Sequence, residues 1–203
     1  MNKIGVFGGT FDPVHYGHIW LARQAADELS LDQVIVTPAK NQPFKLDRSI
    51  TSGEHRYNML KLAFAEDELI LVSDIELKKD SVSYTVDTLR EIKKSTGGGA
   101  ALYFILGADA FLKIEKWKDA GELLREYHFI IGTRPGYKSG ELDEFITGLR
   151  VRYSVKSYTI SNKQIDISST EIKDLIMTGK AISVVPKEVE RYIASNGLYQ
   201  GIY

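Results

Sequence analysis

The chain has 203 residues, enough for one domain with a full hydrophobic core. Its 26 Lys and Arg against 27 Asp and Glu leave a net charge of -1, so nothing global advertises nucleic acid or an anionic membrane as partner. Cysteine is absent, which excludes disulfides, thiol nucleophiles and thiolate metal sites, and no apolar run approaches the ~20 residues that span a bilayer.

Residues 4–7 form a short apolar run that reads as a strand and stops at Gly8-Gly9. It is too short for a secretory signal, so the expected location is cytoplasmic. Thr10, Phe11 and then two histidines, His15 and His18, follow at the mouth of a helical pattern over 17–29, where Ile19, Ala22, Ala26 and Leu29 recur at helical spacing. Glycines at a strand end let the backbone turn sharply and approach a ligand closely. A following helix start offers amides and a positive dipole end to a phosphate. Glycines alone would suit any tight βα turn. Two imidazoles aimed into the same space make the turn a catalytic candidate.

Further strands are expected at 34–38, 69–73, 102–107 and 129–133, each apolar on both faces as buried parallel strands are. Helices are expected at 53–65, 84–94 and 119–125, and Gly97-Gly98-Gly99 reads as a loop tip. After Arg134-Pro135-Gly136 come a helix at 141–149, a strand at 155–160 and closing helices at 169–178 and 186–195, with Pro186 in a first turn and Gly197 at a stop. This rhythm predicts an α/β fold: a doubly wound parallel sheet with helices on both faces and a small helical C-terminal part, its ligands beyond the carboxyl ends of the strands. Neither G-x-G-x-x-G nor G-x-x-x-x-G-K-[ST] is present, which removes the main support for dinucleotide-oxidoreductase and P-loop readings.

The run Gly8-Gly9-Thr10-Phe11-Asp12-Pro13-Val14-His15-Tyr16-Gly17-His18 resembles the His-x-Gly-His nucleotidyltransferases, most nearly the bacterial nicotinate mononucleotide adenylyltransferases. A second superfamily motif, Ile-Ser-Ser-Thr-x-Ile-Arg, has its counterpart at Ile167-Ser168-Ser169-Thr170-Glu171-Ile172-Lys173, with lysine in place of arginine. By itself that segment is an N-capped helix; lysine keeps the charge of the arginine but not its planar fork. The resemblance implies a Rossmann-like fold in a single nucleotidyltransferase domain over 1–203, and transfer of adenylate from ATP to nicotinate mononucleotide with release of pyrophosphate.

Residue by residue, it implies His15 and His18 as catalytic groups. ATP is expected on Gly8, Gly9, Thr10, Phe11, Arg134, Ser168, Ser169, Thr170 and Lys173. The acceptor is expected on Lys45, Thr85, Val86, Gly107, Asp109 and Trp117. Lys45 closes Asn41-Gln42-Pro43-Phe44-Lys45, where Phe44 replaces the family's histidine. Ser83-Tyr84-Thr85-Val86 reads plainly as a capped helix start, with Ser83 or Thr85 as cap; in the family it holds the nicotinate carboxylate, which suits backbone donors and a positive helix end. Trp117 alone would be a core tryptophan, and Lys45 and Arg134 alone would be loop charges. Mg²⁺ is implied with ATP and takes few protein ligands in such sites. With four histidines and no third ligand in register, no protein metal site is assigned. The expected partners are the two small-molecule substrates, with no nucleic acid or membrane and a possible homo-oligomer. A non-catalytic nucleotide sensor and a nucleic-acid-binding module are the readings from other classes. The two histidines argue against the first, and the balanced charge against the second.

Overall fold

In the computed structural model, residues 2–40, 50–79, 82–134, 136–137, 139–161, 168–180 and 183–200 are described. Six strands, β1 (Lys3–Gly9), β2 (Gln33–Pro38), β3 (Ile70–Val72), β4 (Ala101–Gly107), β5 (His128–Thr133) and β6 (Lys156–Ser161), form one sheet in the order β3-β2-β1-β4-β5-β6. Every pairing is parallel, from Ile4 beside Gln33 and Leu102 to His128 beside Lys156. The helices are α1 (Tyr16–Leu29), α2 (Gly53–Ala63), α3 (Thr85–Ser95), α4 (Ala108–Phe111), α5 (Ala120–Glu126), α6 (Gly140–Tyr153), α7 (Ser169–Met177) and α8 (Lys187–Ser195). This is the doubly wound, Rossmann-like sheet, and its order reverses between β1 and β4.

Period-two alternation divides the core in two. Phe7, Val34, Val36 and Ile130 face one layer, where Ala22 of α1, Met59 of α2, Ile172 of α7 and Val189 of α8 pack. Ile4, Val6, Phe104 and Ile131 face the other, where Leu89 of α3, Leu123 of α5 and Leu149 of α6 pack. Both layers therefore exclude water from the sheet, and the strand ends are left to bind ligand. Gly8 and Gly9 end β1 and Gly107 ends β4, so the crevice at the switch point lies between the two expected ligand segments.

Four local features differ from expectation. The strand expected at 69–73 is not buried on both faces: β3 is an edge strand with a single neighbour, and Leu69 and Leu71 are 45% and 50% exposed. Between β4 and α5 the chain adds α4 and a 3₁₀ turn at Ile114–Lys116, anchored by fully buried Phe111 and Ile114; elements of four and three residues are too short for periodicity to reveal. Neither Ser83 nor Thr85 caps α3. The N-cap position is Tyr84, with no side-chain cap, because the Ser83 hydroxyl instead accepts from the Lys40 amide at 3.2 Å. Pro186 stands at the N-cap of α8 rather than inside its first turn, and Gly197, with φ +59°, follows the helix as expected.

Candidate active site

The glycine turn is shaped from beneath by aromatic packing. Phe11 is 2% exposed and sits in the left-handed region at φ +49°. A Cβ on Gly9 would come within 2.9 Å of its ring, so glycine is what lets Phe11 fold under the turn. Phe11 meets Phe7 edge-on at 5.1 Å and His18 edge-on at 5.0 Å between ring centroids. The buried Phe11 side chain packs edge-on under His18.

His15 occupies the N-cap position of α1, makes no side-chain cap, and is 6% exposed. Its ring lies 3.8 Å from that of His18, tilted by 35°. Gly17 makes this approach possible, since a Cβ there would sit 3.0 Å from both Cε1 and Nδ1 of His15. Among the described residues, Nδ1 of His15 is buried without a hydrogen-bond partner. Burial, and then the charge of Arg134, lower the His15 pKa from 6.5 to about 4, so the imidazole is neutral at pH 7. The helix end is not wholly open, because the Tyr16 amide donates to the Val184 carbonyl at 2.9 Å.

The second motif docks directly on the first. The Ser169 hydroxyl donates to the Pro13 carbonyl at 2.9 Å, tying the start of α7 to the turn. Ser168 forms a capping box with Glu171: its hydroxyl accepts from the Glu171 amide at 3.2 Å, and its amide donates to the Glu171 carboxylate at 2.7 Å. The hydroxyls of Ser168 and Ser169 are thus engaged in local structure. The groups α7 presents outward are exposed Thr170 and its first-turn amides, before the bond from Ile172 N to Ser168 O. Arg134, just past β5, has its charge felt by both His15 and Glu171, which puts it between the two motifs.

Lys173 pairs with Asp12, and its ammonium lies 5.3 Å over the Tyr199 ring. Asp12 is 3% exposed. It accepts from the Tyr199 hydroxyl at 2.7 Å and from the Thr51 amide at 3.3 Å. Burial alone would raise its pKa, but hydrogen bonds from Lys173, Tyr199 and Thr51 overcome that and hold it below the ordinary value. Arg56, 1% exposed, donates to the Thr10 carbonyl at 2.8 Å and to the Thr51 carbonyl at 2.9 Å. It therefore braces the turn from inside.

The acceptor-side candidates gather beyond β4. Gly107 and Asp109 are exposed, at the end of β4 and on α4. Trp117 is half-buried, meeting Phe104 edge-on at 6.0 Å, and Phe104 in turn lies under Gly8, 3.5 Å from where a Cβ would be. Thr85 opens α3 and Val86 follows, with the Val86 side chain fully buried. Lys118 fixes the Trp117 segment to this helix start, bonding Asp87 at 2.8 Å and lying 4.7 Å over the Tyr84 ring. Lys45 and the Phe44 position lie outside the described residues.

Sequence reasoning passed over Asp12, Arg56, Glu76 and Tyr199. Asp12 lies inside the quoted turn, and Arg56 is a buried structural group. Glu76, 5% exposed, accepts from the Thr88 hydroxyl at 3.0 Å, and burial raises its pKa. No spacing rule connects Tyr199 to Asp12.

Among the described residues, no group of three or more His, Asp or Glu gathers as a metal cage, and no helix is long and apolar enough to cross a membrane. A cytidylyltransferase-like family model matches residues 6–175. A probable nicotinate-nucleotide adenylyltransferase of Thermoanaerobacter sp. is 42% identical over 98% of this chain and 94% of its own length. One from Moorella thermoacetica is 42% identical over 100% and 95%. Among solved structures, the nicotinic acid mononucleotide adenylyltransferase of Plasmodium falciparum, complexed with NaAD, superposes with a TM-score of 0.80 at 24% identity, covering 98% of both chains.

Proposed function

The chain belongs to the cytidylyltransferase-like family and, within it, to the nicotinate-nucleotide adenylyltransferases, and from that membership we propose that its two motifs enclose one triphosphate. The enzyme joins ATP and nicotinate mononucleotide to give nicotinate adenine dinucleotide and pyrophosphate. An oxygen of the acceptor's phosphate attacks the α-phosphorus of ATP, and the bond to the β-phosphate bridging oxygen breaks. The nucleophile is already an anion at neutral pH, so no protein base is required. What remains is to align two polyanions and absorb charge as pyrophosphate departs.

The 3.8 Å approach of His15 to His18 at the carboxyl end of β1 carries this assignment. His18, propped by Phe11, donates to the α-phosphate in the transition state. His15, neutral at pH 7, donates to a neighbouring phosphate oxygen. The Gly8-Gly9 backbone and Thr10 support the triphosphate. Arg134, Thr170, the first amides of α7 and Lys173 receive the leaving phosphates. Mg²⁺ bound with ATP would supply neutralisation of phosphate charge and would need few protein ligands. A pool of ATP supports a cytoplasmic location.

The uncapped start of α3 supports the acid over the amide as acceptor. Amide donors and a positive helix end there favour a carboxylate, Trp117 offers its face to the pyridine ring, and Asp109 accepts from ribose hydroxyls. The test is pyrophosphate release from ATP and Mg²⁺ with nicotinate mononucleotide or nicotinamide mononucleotide as acceptor. Faster turnover of the acid is expected; equal rates would refute the carboxylate assignment.

A further inference from the structure

In this chain the family's arginine is Lys173, whose flexible stem and point charge lack the planar fork that orients a guanidinium. Around Lys173 the fold supplies other orienting groups. The ammonium contacts the buried carboxylate of Asp12 on one side and the Tyr199 ring on another. The Asp12 side chain is 4% exposed and that of Lys173 26%, so the lysine is the accessible partner of a pair whose carboxylate is buried. An ammonium has three N–H donors, and the bond to Asp12 uses one.

Asp12 is itself held on three sides. Tyr199, beyond the end of α8, donates its hydroxyl at 2.7 Å, and Thr51 donates its amide at 3.3 Å. Arg56 closes the circuit by bonding the carbonyls of Thr51 and Thr10. The carboxylate is therefore a fixed point in the same rigid piece as the phosphate turn, and it is too deeply buried to meet substrate.

Resting on the assignment of Lys173 to the leaving phosphates, we propose that Asp12 and Tyr199 are positioning residues that aim the Lys173 ammonium at the triphosphate, supplying the orientation a guanidinium fork carries by itself. A lysine left to its own rotamers would spend much of its time away from the crevice. Tethered to the turn, it meets the leaving phosphates already aligned.

A double-mutant cycle on kcat/KM for ATP tests this. Asp12→Asn keeps an acceptor for Tyr199 but loses the charge that holds the ammonium; it is expected to lower kcat/KM for ATP about tenfold or more, part of the 10²–10³ that one transition-state donor commands. Tyr199→Phe, which keeps the ring, is expected to give a smaller loss of the same kind, and it stands in if Asp12→Asn does not fold. KM for nicotinate mononucleotide should move less than about threefold, as expected for interactions confined to one substrate. In a Lys173→Ala background, both substitutions should have almost no further effect, and in a Lys173→Arg background their cost should shrink. Losses that add in full to a costly Lys173→Ala would overturn the proposal while leaving Lys173 as a phosphate group. A Lys173→Ala variant with unchanged kcat/KM for ATP would overturn that assignment, and the proposal with it.

Discussion

The imidazole of His15 lies against that of His18 because residue 17 between them has no side chain: a Cβ on Gly17 would stand 3.0 Å from two atoms of the His15 ring. The turn, the ring stack and the start of α1 form one unit, and perturbing the spacer should disturb chemistry more than folding.

Gly17→Ala separates the two. Alanine is the better helix former by roughly 1 kcal/mol, and Gly17 lies in the first turn of α1, so the melting temperature should hold or rise. The methyl group should shift the His15 ring against His18 by a few tenths of an ångström, and turnover should fall about tenfold, the cost of misplacing a group that acts through alignment. Thermal melting measured beside steady-state kinetics checks both halves; unchanged turnover would show that the stack is incidental.

His15 should titrate well below an ordinary histidine. Burial and the Arg134 charge bring it to about 4, against 6.5 unfolded. Below pH 6.5 the unfolded chain takes up a proton that the folded chain refuses, so this group's stabilising contribution is complete above 6.5 and lost as pH falls through about 4. NMR titration of the ligand-free protein reads the midpoint directly, and a value near 6.5 would contradict the burial argument.

Glu76 has the opposite sign. Burial raises its folded pKa above the ordinary 4.5, despite hydrogen bonds from Ser83 and Thr88 and the charges of Lys79 and Arg56. Stability relative to the unfolded chain is therefore greater at low pH and declines as pH rises from about 4.5 through the raised value. Glu76→Gln keeps an acceptor for the Thr88 hydroxyl and removes the buried charge, so it should flatten that decline in denaturation measured from pH 4 upward.

On the acceptor side, ring and ion pair should separate. Trp117→Ala is expected to raise KM for nicotinate mononucleotide about tenfold, as stacking worth ~1–3 kcal/mol implies, with KM for ATP little changed. Lys118→Ala loses a pair whose side chains are 41% and 36% exposed, and solvent and salt screen such exposed pairs. Its effect on that KM should stay within about threefold. Kinetics with each substrate varied in turn decide between them.

Much of this was legible in the chain. The glycine pair after an apolar run marked the end of β1, helical spacing marked α1, and the Ser-Ser-Thr run marked the start of α7. What local pattern missed depends on position in the whole sheet or on long-range pairing. Leu71 looks as buried as Val36 until β3 proves to be an edge. That the Ser168 hydroxyl is engaged by Glu171 in a capping box shows only in the fold. Asp12 gains its meaning from Tyr199, which is remote in sequence and brought near only by the packing of α7 and α8 on the sheet. Phe11 was noticed for its place in a motif, while its work is to hold a histidine.

If His18 donates to a phosphate oxygen in the transition state rather than serving to bind substrate, His18→Ala should separate the two roles in a pyrophosphate-release assay at saturating ATP and nicotinate mononucleotide. The variant is expected to fold, with kcat lower by about 10²–10³ and both KM values within about threefold of the parent. A folded His18→Ala enzyme with near-normal kcat would contradict the transition-state role.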